Sequence, residues 1–144
     1  MDKFCVIGQS LPHTFSPEIH TLFGLNYGVE ELPNEESLKH FVRHNDYKGF
    51  NVTIPYKMDI IKMIDIVSKK ALEVGAVNTV VRKDGLLYGY NTDIDGILYA
   101  LKRAGIEVFG KKIAILGSGG TSHTVKYALK DKAKEIIVVS RTGD

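Results

Sequence analysis

Apolar and polar positions along the chain switch repeatedly between a two-residue and a three-to-four-residue period, which predicts alternating strands and helices. Residues 4–7 form a short apolar run broken by Gly8, and residues 27–32 form a second, closed by Pro33-Asn34. Both read as strands. Between them Ser16-Pro17-Glu18 predicts the start of a short helix, with Ser16 as N-cap, proline tolerated at the first helical position and an acid suited to the dipole. Residues 37–44 carry Leu38, Phe41 and Val42 at helical spacing. Residues 49–54 are strand-like, and Pro55 is expected to start a helix whose Ile60, Ile61, Ile64 and Val67 form one apolar stripe. Ser68 is positioned to cap a further short helix reaching Val74. Residues 76–82 and 86–90 flank Lys83-Asp84-Gly85, and Asp-Gly between two β-rich runs signals a hairpin.

Beyond this point the pattern changes. Residues 94–104 predict a helix with Ile97, Leu98 and Leu101 inward, stopped by Gly105. Residues 106–112 read as a connector. An apolar strand at 113–116 runs into Gly117-Ser118-Gly119-Gly120, a helix follows to about Lys130, and residues 136–139 form a buried strand of the parallel type. The fold class expected is α/β: a domain at 1–109 with an open twisted α/β sheet, then at 110–144 the first βαβ of a Rossmann-like domain. A dinucleotide fold is assembled from two βαβαβ halves, so the pattern predicts a shortened piece of a longer protein.

Composition narrows the function classes. The 144 residues are 44% hydrophobic and 25% charged, which is enough apolar side chain for a core and too little charge bias for disorder. Nineteen Lys/Arg against seventeen Asp/Glu leave a net charge of +2, which gives no broad electrostatic basis for nucleic acid or an anionic membrane. The lone Cys5 excludes an intrachain disulfide and a cysteine-based zinc site, and fits a reducing compartment. The N-terminal apolar run is too short for a signal-peptide core, and no stretch approaches the ~18 apolar residues of a membrane span. A cytoplasmic protein is the expectation.

The glycine turn is the first chemical signal. Gly117-Ser118-Gly119-Gly120-Thr121-Ser122 follows an apolar strand and opens a helix, the context a dinucleotide fingerprint requires. One glycine permits the sharp turn and the next lets backbone N–H groups approach a pyrophosphate. Ser122 is small enough for the helix–strand packing slot. A tight turn without ligand is the alternative. At the end of the next strand an NAD site would place an acid, about 20 residues on. Here the chain reads Ser140-Arg141-Thr142, and a guanidinium flanked by hydroxyls suits a 2′-phosphate, which favours NADP. The alternative is that Arg141 is a solvated loop charge.

Four polar clusters fall at predicted strand ends: His13-Thr14-Phe15-Ser16-Pro17, Asn51-Val52-Thr53-Ile54-Pro55-Tyr56-Lys57, Ala76-Val77-Asn78-Thr79 and Asn91-Thr92-Asp93. With the glycine turn and the Ser-Arg-Thr strand end they follow, in order and apart from Thr14 and Ser140 at the first and last motifs, the pattern S-x-S-P, N-V-T-x-P-x-K, A-V-N-T, N-T-D, G-x-G-G and N-R-T. In these motifs the chain resembles the shikimate dehydrogenases, which reduce 3-dehydroshikimate to shikimate with NADPH in aromatic amino acid biosynthesis, and the resemblance runs over essentially its whole length.

The resemblance implies that Lys57 is the catalytic lysine and Asp93 its partner. Reduction of a ketone leaves an alkoxide, so a proton donor must sit within hydrogen-bond reach of that oxygen. Lys57 is expected in the first turn of the helix after Pro55, where the dipole disfavours an extra positive charge. Thr14 and Ser16 match the paired hydroxyls that hold the substrate carboxylate. Thr53, Asn78, Thr92 and Asp93 match the groups that bond the ring hydroxyls, and Asn51 is read as a brace for its loop. Gly117, Ser118, Gly119, Gly120, Thr121, Ser140, Arg141 and Thr142 are the implied cofactor contacts, the cofactor being NADP. Thr14 stands where serine is commoner, Ser140 where asparagine is usual, and Lys69-Lys70 where the family often carries proline and an acid. The family's remaining cofactor strands and late glutamine have no counterpart.

Other readings stay open at this level. A quinate/shikimate dehydrogenase using NAD or NADP would carry similar motifs, and this chain alone could bind shikimate without turnover. The partner expected is the small-molecule substrate, with no nucleic acid and no membrane, in a monomer or homodimer. His40 and His44 lie four apart on a predicted helix, but Phe41 occupies the place a zinc protease gives to glutamate, and no metal is expected. His13 and His20 are read as structural, the lysines around Lys126 and Lys130 as a solvated helix face, and Cys5 as an inert core thiol.

Overall fold

The computed structural model describes residues 1–141. The chain begins with β1 (Lys3–Gly8), α1 (Ser16–Leu22), β2 (Asn26–Glu31), α2 (Glu35–His44) and β3 (Gly49–Val52). A 3-10 turn at Asp59–Lys62 leads to the short β4 (Ile66–Val67) and α3 (Lys69–Val74). The β5–β6 hairpin (Thr79–Lys83 and Leu86–Tyr90) precedes α4 (Asp93–Arg103). Last come β7 (Lys112–Leu116), α5 (Gly120–Leu129) and β8 (Glu135–Val139).

The first strands form a mixed six-stranded sheet in the order β2-β1-β3-β5-β6-β4. Only β5 runs against the others. The ends of β1, β3 and β6 and the beginning of β5 therefore share one edge, with Ile7 beside Val52, Asn51 beside Thr79 and Thr79 beside Tyr90. The hairpin is as expected, with Asp84 and Gly85 both at positive φ, 52° and 81°. Phe41, Phe50, Val52, Ile60, Val77 and Val80 belong to the core against this sheet.

β7 and β8 form a separate parallel two-stranded sheet joined by α5, the expected βαβ. Its core does not stop at the connector. Val74 and Ala76 around α3 and Ile94 from α4 pack in the same cluster as Ala128 and Leu129 of α5, with Ile97, Leu98 and Leu101 against it. The inward face predicted for α4 thus faces the second sheet's helix. No helix among the described residues is long and apolar enough to cross a membrane.

Two expected elements differ. No α-helix follows Pro55: residues 54–58 turn, the helical stretch is only the 3-10 turn, and Val67 lies in β4. The cause is competition for backbone groups, which must all find partners. Val77 N–H takes the Lys57 carbonyl at 2.7 Å, while Asp65 and Ser68 bond to Leu87 and Gly89 on the open side of β6. Pairing the sheet edge outweighs the helical spacing of the isoleucines. The dipole argument for Lys57 falls with that helix. Ser16 is also not an N-cap: the cap position of α1 is Phe15, and the Ser16 amide donates to Thr14 Oγ1 at 3.3 Å. Ser68 does cap α3, accepting from Ala71 N–H.

Candidate active site

Lys57 sits five residues past β3 in a turn anchored by its own carbonyl, and Asp93 opens α4 just past β6. Their convergence follows from the sheet, since β3 and β6 end on the same edge. Lys57 Nζ donates to Asp93 Oδ2 at 2.6 Å, with the two side chains 12% and 30% exposed. The pair is partly shielded from water, so the attraction exceeds that of a fully exposed pair.

Asn78, entering β5 from the same edge, fixes the other carboxylate oxygen: its Nδ2 donates to Asp93 Oδ1 at 2.8 Å and to Thr92 Oγ1 at 2.9 Å. Its Oδ1 accepts from Thr92 N–H at 2.8 Å and from the Thr79 hydroxyl at 3.1 Å. Asn51 extends the network, bonding Thr79 Oγ1 at 3.2 Å and accepting from the Tyr27 hydroxyl at 2.6 Å. These bonds tie the end of β3 to β2 and β5. His20 stacks on Tyr27 at 4.0 Å and bonds the Ser16 carbonyl at 2.7 Å through Nδ1, so the histidine ties α1 to this brace. Burial raises the Tyr27 hydroxyl above its ordinary range, with a smaller contribution from Cys5, which keeps it a neutral donor.

The structure thus brings Lys57, Asn78, Thr92 and Asp93 into one hydrogen-bonded cluster. Thr14, on the loop after β1, accepts from the amide of Ser16, the first residue of α1. Thr53 follows β3, held by its N–H on the Ile7 carbonyl at 2.9 Å.

Facing Lys57 is the glycine turn. A cleft of about 480 Å³ has Ile54, Pro55, Lys57 and Met58 on one side and Gly117, Gly119, Gly120 and Thr121 on the other. That volume lies in the range of small-molecule pockets. Gly117 turns the chain at φ 114°, a conformation that side chains rarely adopt. Gly119 caps α5 without any side-chain hydrogen bond, so the first-turn amides of this ten-residue helix are not covered by a capping side chain. Ser118 lines a different hollow of about 590 Å³, with Glu73, His123, Lys126 and Tyr127. Arg141 is exposed at the end of β8, and Thr142 lies outside the described residues.

Among the described residues the buried polar side chains are Asn78, Asn91, Ser122 and Thr124, all beside the cluster or on the helix behind the glycine turn. Asn91 and Thr79 lie within the motifs legible in the sequence but carry no task there, and Thr124 lies in none. Nothing in spacing marks Thr124, because it works through Asn91, 33 residues away. Elsewhere, His40 and His44 stack at 4.3 Å on exposed α2, with His44 Nδ1 on the His40 carbonyl.

Residues 6–80 match the family model described as the shikimate dehydrogenase substrate binding domain. The NADP(+) shikimate dehydrogenase of Carboxydothermus hydrogenoformans is 42% identical over 147 residues, covering 96% of this chain and 52% of that protein. A crystal structure of shikimate 5-dehydrogenase from Thermus thermophilus in complex with NADP(H) and shikimate superposes with a TM-score of 0.87 at 35% identity, over 99% of this chain and 57% of that one. Shikimate dehydrogenase 1 of Peptoclostridium difficile superposes with a TM-score of 0.88 at 33% identity, over 99% and 61%. The chain spans about half the length of the curated relatives it matches. An ion pair at the shared edge of a mixed sheet, opposite a glycine turn, therefore sits in a chain that belongs to the shikimate dehydrogenase substrate-binding domain family.

Proposed function

We propose that this chain forms the substrate half of a cytoplasmic, NADPH-dependent oxidoreductase that reduces 3-dehydroshikimate to shikimate in aromatic amino acid biosynthesis. The observation that carries the reading is the Lys57–Asp93 pair, held at 2.6 Å and lining through Lys57 the cleft that faces the glycine turn. Residues 1–109 hold the polyhydroxy acid and residues 110–144 open a Rossmann-like domain. Thr14 and Ser16 take the carboxylate, and Thr53, Asn78 and Thr92 take ring hydroxyls. A pocket of paired polar groups favours a polyol, because an analogue lacking a hydroxyl would leave them unpaired.

Lys57 is the proton donor to the ring oxygen. Only one of its three ammonium hydrogens is engaged by Asp93, so another can point at substrate. Asp93, gripped by Asn78, holds the ammonium in place and balances its charge. The uncapped helix start and the open space around Gly117 and Gly119 fit a dinucleotide pyrophosphate held by residues 117–121. Ser140, Arg141 and Thr142 suit the 2′-phosphate. NADPH bound there supplies the hydride.

Because the chain spans about half of its relatives, turnover is assigned to a protein carrying both halves, and this chain is expected to bind shikimate without turning it over. Titration of the ¹⁵N-labelled chain with shikimate is expected to shift the Ser16, Asn78 and Thr92 amides saturably; spectra that do not move overturn the reading. Joined to the C-terminal half of the Carboxydothermus relative, the chain is expected to oxidise shikimate faster with NADP than with NAD, and faster than it oxidises quinate. The reverse preference would support a quinate/shikimate dehydrogenase.

A further inference from the structure

Asn91 and Thr124 are 33 residues apart, one just past the six-stranded sheet and the other in the second turn of α5. Both are buried, Asn91 5% exposed and Thr124 not at all. Asn91 Nδ2 donates to the Ala76 carbonyl at 3.0 Å and to Thr124 Oγ1 at 3.1 Å, while its Oδ1 accepts from Ile94 N–H at 3.3 Å. Thr124 passes its own proton to the Gly120 carbonyl at 3.0 Å, one turn back. Gly120 in turn touches the lysine turn: a Cβ there would lie 3.1 Å from Lys57 Cβ and 3.8 Å from Ala76 Cβ. The bonds and the contact thus run from the strand end, through α5, to the stem of Lys57.

The apolar neighbours Val74, Ile94, Ala128 and Leu129 hold the helix against the sheet unit but do not fix its register, since hydrophobic contact is non-directional. Buried hydrogen bonds are directional, and sliding the helix would leave polar atoms unpaired. We propose that Asn91 and Thr124 are positioning residues that clasp the first turn of α5 to the Lys57 turn, setting the separation of the glycine turn from the Lys57 ammonium. The effect on turnover rests on the oxidoreductase reading above; the clasp itself rests only on the geometry.

The test uses this chain with ¹⁵N-labelled lysine. Thr124→Val keeps the shape and removes the hydroxyl, and it is expected to move the Lys57 Nζ resonance and the Gly120 amide. Thr124→Ser keeps both bonds and is expected to leave them in place. Thr124→Ala, which also removes the hydroxyl, is expected to move the Lys57 signal as well and serves if Thr124→Val does not fold. A Lys57 resonance unmoved in every folded variant overturns the clasp. In the protein carrying both halves, Thr124→Val is expected to lower kcat for shikimate at least tenfold with KM within twofold; a raised KM at unchanged kcat overturns the positioning role. Should the unaltered protein neither bind nor oxidise shikimate, the functional reading fails, while the Nζ spectra still decide the clasp.

Discussion

Lys57 and Asp93, 36 positions apart in the chain, meet with Nζ 2.6 Å from Oδ2. No local element could bring them together. The turn after β3 and the start of α4 are neighbours only because β5 inserts antiparallel between β3 and β6, leaving β3 and β6 to finish at one edge. Asn78, at the entry to β5, lies between them and binds the carboxylate from the other side.

Lys57→Ala in the protein carrying both halves is expected to lower kcat by roughly 10²–10⁴-fold, the usual worth of a positioned acid–base group, with a much smaller change in KM. Asp93→Asn keeps a hydrogen-bond acceptor for Lys57 but loses the charge, so it should also reduce kcat, by less. Steady-state rates of shikimate oxidation measure both. Unchanged turnover in Lys57→Ala would remove the lysine from the chemistry.

Asn78→Ala removes the partner of Thr92 N–H, the Thr79 hydroxyl and Asp93 Oδ1 at a site only 8% exposed. The groups left unpaired should cost about 1–3 kcal/mol each where water cannot reach them. Urea melts should show the loss, and shikimate affinity should fall with it as Asp93 is released. A variant as stable as the parent would show that water replaces the amide.

Cys5 is buried, and its thiol is pushed up from 9.0 to about 12, chiefly by loss of hydration and secondarily by the Glu30 charge. It should resist alkylation at pH 8 in the folded chain and react promptly once unfolded in urea. The same burial raises Tyr27 and Tyr47, the latter also through its hydrogen bond to Glu30. In each case the folded state keeps a proton that the unfolded chain releases. Stability is therefore whole below about pH 9 and declines as pH rises toward 12, since the unfolded state then binds fewer protons. Urea melts across that range should show midpoints falling with pH, and flat midpoints would contradict the burial of these groups.

Asn34 caps α2 reciprocally with Ser37: its side chain accepts from Ser37 N–H at 2.9 Å, and Ser37 Oγ accepts from Asn34 N–H at 3.2 Å. Asn34→Ala should cost about 1 kcal/mol in urea unfolding. Shikimate affinity should not change, because α2 contributes nothing to the Lys57–Asp93 cluster. A drop in affinity alongside the stability loss would mean that α2 supports the site after all.

Much of the architecture is written locally. Asp84-Gly85 between β-rich runs, Ser68 before α3 and the apolar run into Gly117 each act over a few residues, so their outcomes are legible in the sequence. The motifs around Lys57, Asn78 and Asp93 were legible as well, through residue type and order. The failure at residues 55–67 is informative: the isoleucine spacing satisfies a helical period, yet the backbone was claimed by Val77, Leu87 and Gly89. Periodicity reports which side chains prefer burial and says nothing of which distant backbone groups need partners.

By itself, then, the sequence determined the order of strands and helices outside residues 55–67, the turn chemistry and the residue types that carry the site, because these depend on neighbours within a few positions. Only the tertiary structure decided that Lys57 is held in a turn rather than by a helix, that α4 packs on α5, and that Asn91 reaches Thr124 and Gly120 reaches the Lys57 stem. These depend on sheet register and on the pairing of buried polar groups across 33 residues and more, and that information exists only once the chain has closed on itself.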